Sequence, residues 1–107
     1  MAIERQHVKE QDKIERRHNF EPVESNLTEV QVKLEASRCL HCKNPRCVAG
    51  CPVNIQIPDF IKAIKDGDLN KAGEIIRQTS MLPSVCGRVC PQERQCEGNC
   101  ILGIKGE

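Results

Sequence analysis

The sequence predicts a small all-α fold that carries cysteine-rich loops. Apolar residues recur at helical spacing in two neighbouring stretches, 57–66 and 68–76. No run alternates β-branched and polar residues as a half-buried strand would. Eight cysteines are packed into two short segments, 39–51 and 86–100, that also hold proline and glycine, so regular structure cannot run far there.

Residues 1–25 form a polar, charged segment with sparse apolar positions at Ile3, Val8, Ile14 and Phe20. Its Glu, Gln, Lys and Arg content predicts partial helix over 4–17, ending before Asn19. Residues 26–107 read as one helical domain. Asn26 suits a cap, with Glu29 three residues on as a capping box requires. Val30, Leu34 and Ala36 extend that helix to Arg38, a cation placed where the helix dipole favours it. The stretch 39–55 reads as loop because of Pro45, Gly50 and Pro52. A second helix spans 57–66, with Pro58 at its first turn and Gly67 as its stop. Asp68 caps a third helix that carries Leu69, Ala72, Ile75 and Ile76 on one face. The short junction predicts an antiparallel hairpin with Phe60, Ile61, Ile64, Leu69, Ile75 and Ile76 as its core. Short helical turns are expected at 85–89 and 93–95.

A chain of 107 residues has room for one modest core, and this one has two Phe, no Tyr and no Trp with which to fill it. Small domains of this kind are held by disulfides or by metal. The N-terminus is charged and lacks an apolar signal region, and no stretch reaches transmembrane length. The expectation is a cytoplasmic protein with no membrane contact, in a compartment where thiols stay reduced and bind metal. A formal charge of +1 gives no electrostatic reason to expect nucleic acid as a partner. Thiolate-bound metal clusters would make the loaded domain more acidic than this count.

The first segment is Cys39-x2-Cys42-x4-Cys47-x3-Cys51-Pro52, and the second is Cys86-x3-Cys90-Pro91-x4-Cys96-x3-Cys100. Three closely spaced cysteines can wrap one side of a [4Fe–4S] cube. In two-cluster ferredoxins the fourth thiolate comes from the other run. Cys39, Cys42 and Cys47 suit the wrapping role, and Cys51 before Pro52 suits the crossing one. The alternative is a structural zinc module, but zinc prefers paired CxxC knuckles and only Cys39/Cys42 has that form. A disulfide framework lacks the secretory signal it would need.

The run Cys39-Leu-His-Cys-Lys-Asn-Pro-Arg-Cys47, then Gly50-Cys51-Pro52-Val53, Ile57-Pro58-Asp59-Phe60-Ile61 and Cys86-Gly-Arg-Val-Cys90-Pro91-Gln-Glu-Arg-Gln-Cys96, resembles one family. It is similar to the N-terminal cluster domain of the glutamate synthase small subunit (β chain), which also opens dihydropyrimidine dehydrogenase. The resemblance runs from about Asn19 to the end of the chain. It implies an α-helical ferredoxin-like domain with two [4Fe–4S] clusters, followed in the parent protein by a domain that binds FAD and NADPH. Carried over by position, Cys39, Cys42, Cys47 and Cys100 would hold one cluster, and Cys51, Cys90 and Cys96 the second. In the family the fourth ligand of the second cluster is an oxygen-bearing side chain beyond the last cysteine. Ferredoxin logic recruits Cys86 to that place. The family pattern, adopted here, leaves Cys86 a buried thiol. The implied function is an electron relay within an NADPH-dependent oxidoreductase of glutamate synthase type, with the synthase large subunit as partner. No substrate chemistry is expected within these residues.

Other residues invite weaker readings. His41, between two candidate ligands, could tune a cluster by hydrogen bonding. Arg38, Lys43, Arg46, Arg88 and Arg94 flank the cysteines and could offset negative charge there. Gly50 and Gly87 could let backbone N–H groups approach cluster sulfurs. No GxGxxG or P-loop motif occurs, which excludes dinucleotide binding from these residues.

Overall fold

Thr28 starts the first helix in the computed structural model, which describes residues 2–106. Its hydroxyl accepts the Gln31 N–H, and the Gln31 side chain accepts the Thr28 N–H. That closes a capping box, and α1 runs Glu29–Ser37. The box expected from Asn26 and Glu29 therefore falls two residues early. Thr28 and Gln31 repeat the same spacing, and it is their side chains that meet.

Proline sets the ends of two short helices. Helix α2, Arg46–Gly50, stops at Cys51 with ψ 121°, and α5, Pro83–Val89, stops at Cys90 with ψ 132°. Each of these cysteines precedes a proline, whose ring disfavours helical backbone in the residue before it. The Cys-Pro pairs thus terminate helices and turn the chain extended at a thiol. The expected loop at 39–55 is broken by α2, whereas the turn expected at 85–89 is realised as α5.

The predicted hairpin is present. Helix α3, Ile57–Lys65, has Pro58 in its first turn. Gly67 takes φ +87°, a left-handed conformation that suits glycine. The Asp68 carboxylate then accepts the Lys71 N–H at 3.0 Å and caps α4, Leu69–Arg77. Helix α3 packs on α4 and on α1. The buried apolar residues are small: Ala36, Ala63 and Ala72, one from each of these helices. Phe60, Ile61, Ile64, Ile75 and Ile76 are half-buried. Leu69, expected in the core, is instead 53% exposed. As the first residue of α4 it lies at the hairpin's open end, beside Leu27 and Val32 in a shallow groove.

A 3₁₀ turn at Gln92–Arg94 leads into α6, Cys96–Asn99, and α7, Ile101–Lys105. Helix α6 packs against α2, joining the two cysteine segments. Glycines allow the approach: a Cβ on Gly98 would stand 2.4 Å from the Glu93 carbonyl oxygen, and one on Gly103 2.4 Å from that of Glu97. Gly50 is crowded in the same way by Asn99 and the Gln95 carbonyl. Backbone cannot move aside as a flexible side chain would. Gly98→Ala is therefore expected to lower stability by about 1–3 kcal/mol, measured as a drop in the urea midpoint.

The helix expected over 4–17 does not form; the segment holds only a 3₁₀ turn at Glu15–Arg17. Glu10 instead bridges Glu24, with Gln11 N–H donating to Val23 O and Ser25 N–H to Lys9 O, both at 2.8 Å. The Asp12 carboxylate accepts the N–H groups of Ile14 and Glu15 and bends the chain. Helix propensity without an apolar stripe loses here to local turn chemistry and tertiary pairing. Among the described residues no helix is long and apolar enough to cross a membrane.

Candidate metal centre

The eight cysteines are brought to the joints between short elements. Cys39 and Cys42 follow α1, and Cys47 lies in the first turn of α2. Cys51 ends α2, Cys86 lies within α5 and Cys90 ends it. Cys96 opens α6, and Cys100 separates α6 from α7. All eight are free thiols and half-buried. Cys86, expected to be buried, is therefore accessible in part.

Their influence on Cys47, Cys90 and Cys96 sorts seven of the eight into two groups, with Cys42 in neither. Ionisation of Cys100 or Cys39 would push the Cys47 thiol further up. Cys51 acts on both Cys90 and Cys96. Cys86 belongs with the second group, through a side-chain hydrogen bond to Cys90. Each group draws thiols from both cysteine segments, a consequence of α2 packing against α6. Among the described residues no three His, Cys, Asp or Glu side chains converge on a point suited to a single metal ion.

Backbone amides face the sulfurs. The His41 N–H points to Cys39 Sγ at 3.5 Å, and the amides of Val48 and Glu97 hydrogen-bond Cys47 and Cys96. His41 reaches its position at φ +48°, a left-handed turn that histidine tolerates better than most residues. Its backbone thus makes the contact, while the residue itself is exposed. Gly50 shows a packing role instead, and a Cβ on Gly87 would meet open space.

Burial pushes the thiols of Cys47, Cys90 and Cys96 up. Neighbouring thiols add to this at all three, as does Glu97 at Cys96, and amide hydrogen bonds oppose it at Cys47 and Cys96. These groups remain protonated in the folded, metal-free chain at pH values where the unfolded chain has begun to ionise. The stability they contribute is fully present below the unfolded thiol value of about 8.5. It is lost as pH rises through the higher folded values. The metal-free domain should thus unfold at lower urea at pH 10 than at pH 7.5; a constant midpoint would contradict this burial.

A thiol-rich donor set with amide N–H groups on its sulfurs suits iron–sulfur chemistry. The family model for dihydropyrimidine dehydrogenase domain II, 4Fe-4S cluster, matches residues 16–107. The chain belongs to that family. This [4Fe–4S] domain is 46% identical over 87 residues to the glutamate synthase [NADPH] small chain of Escherichia coli (strain K12), covering 81% of this chain and 18% of that protein. It is 40% identical over 88 residues to the glutamate synthase [NADPH] small chain of Azospirillum brasilense, covering 82% and 18%. It is 41% identical over 66 residues to the NAD-dependent dihydropyrimidine dehydrogenase subunit PreT of Escherichia coli (strain K12), covering 62% and 16%. The chain thus spans less than a fifth of the length of these curated relatives.

Glu35 takes a part at the site that cysteine spacing does not announce. Its carboxylate accepts the backbone N–H of Gln6 at 2.8 Å and pairs with Arg38 Nη1 at 2.5 Å. The i, i+3 spacing of Glu35 and Arg38, one residue before Cys39, was the available signal.

Proposed function

We propose that this domain relays electrons through two [4Fe–4S] clusters inside a larger NADPH-dependent oxidoreductase of glutamate synthase type. Cys39, Cys42, Cys47 and Cys100 hold the first cluster, and Cys51, Cys90 and Cys96 hold the second. Cys86 stands beside the second set without ligating. The observation that carries this reading is the division of the thiols into two groups that each mix both cysteine segments. Such mixing is how two-cluster ferredoxins share ligands between their runs.

When bound, a [4Fe–4S] cluster supplies exchange of single electrons. The chain's own contribution is to fix the thiols at helix ends, to direct amides at their sulfurs and to limit solvent around them. Residues 26–107 form the cluster-holding domain, and Arg5 and Gln6 of the preceding segment fasten across it. A following domain carries FAD and NADPH, and the electrons pass between that flavin and the synthase large subunit. The names and lengths of the relatives support this placement.

Anaerobically loaded protein titrated with dithionite and followed by electron paramagnetic resonance tests the relay. Two centres that each accept one electron are expected. A protein that takes up no electrons under these conditions would overturn it.

A further inference from the structure

Five basic residues flank the cysteines, and among the described residues only Arg38 of these five is ion-paired. Its side chain is 11% exposed, so it is not an ordinary solvated loop charge. A guanidinium so enclosed is costly unless a partner compensates it. Glu35 provides that partner through a short, charge-assisted contact. The other Glu35 oxygen accepts the Gln6 N–H. The next residue back, Arg5, reaches both oxygens of Glu97 at 3.1 and 3.2 Å. Glu97 follows Cys96, as Arg38 precedes Cys39. Residues 5–6 thus strap the end of α1, beside a thiol of the first group, to α6, beside a thiol of the second.

We propose that Glu35 is a positioning residue for the first cluster: it fixes Arg38 beside Cys39 and cancels a charge that would otherwise bias that cluster's potential. This rests on the two-cluster reading above. The Arg5–Glu97 pair is about half exposed and contributes mainly orientation. The Glu35–Arg38 pair is the more enclosed and carries the electrostatic effect.

The charges make the test directional. Glu35→Gln leaves Arg38 positive and uncompensated, which favours the reduced, more negative state. Arg38→Gln leaves Glu35 negative and does the opposite. The double variant restores neutrality. The wild type and the three variants are loaded anaerobically and their two midpoints measured by redox-poised electron paramagnetic resonance. Cys47→Ala serves to identify the first cluster's signal. The first midpoint should rise in Glu35→Gln, fall in Arg38→Gln and return in the double variant. Each single shift should approach a tenfold change in the reduced-to-oxidised ratio, 59 mV for one electron. The second midpoint should hold. Loss of the first cluster alone, with helical circular dichroism retained, would also support positioning. Unmoved midpoints at full iron content, or equal effects on both clusters, would overturn the proposal. An iron-free wild type would overturn the cluster reading itself, and this proposal with it.

Discussion

Cys47→Ala should reduce bound iron from about eight atoms per chain to about four, leaving one complete cube. Cys47 interacts with Cys39 and Cys100, whereas Cys90 and Cys96 interact with Cys51. Removing a thiol from one group should not disturb the other. Cys51→Ala should likewise halve the iron, and the double variant should hold none. Cys86→Ala should retain about eight, because Cys86 is assigned no ligand role. Alanine is the right replacement, since a serine oxygen could still coordinate. Iron assay with visible circular dichroism separates these outcomes. If Cys47→Ala lost both clusters while its helices persisted, the division into two independent sites would be wrong.

Removing iron should destabilise the domain severely. Among the described residues the buried apolar set is three alanines, and no large side chain is fully buried. Helices α2, α5, α6 and α7 have seven residues or fewer and contribute no fully buried residue. Such short helices are marginal without tertiary support. Metal binding in small domains is itself folding free energy. A loss of several kcal/mol, at about 4–8 °C per kcal/mol for a domain of this size, lowers the thermal midpoint by roughly 20 °C or more. The loss should concentrate in 39–51 and 83–105, with the α3–α4 hairpin keeping the most amide protection. Hydrogen exchange on loaded and chelated protein checks this. Equal protection throughout both forms would mean that the chain folds without its metal.

The hairpin was legible because every local signal agrees there. Pro58 opens α3, Gly67 turns the chain, Asp68 caps α4, and the apolar positions follow a helical period. Its core was misjudged because periodicity identifies a face without saying which atoms meet. Ala63 and Ala72 are the buried residues of the two helices, while the larger side chains are half-buried. The start of α1 was ambiguous in principle, since Asn26/Glu29 and Thr28/Gln31 satisfy one spacing rule. The N-terminal segment misled because composition favours helix there, whereas its course is set by distant partners at Val23, Glu35 and Glu97. Cysteine spacing indicated the metal class correctly. It could not show that Cys86 would stand against Cys90, nor that Glu35 would join Gln6 to Arg38.

Counting iron and acid-labile sulfide in protein prepared without oxygen puts the underlying chemistry to the plainest trial. Two cubes require about eight of each per chain, with a brown colour and broad absorption near 400 nm. A colourless chain holding a single zinc and no sulfide would contradict the account at its root.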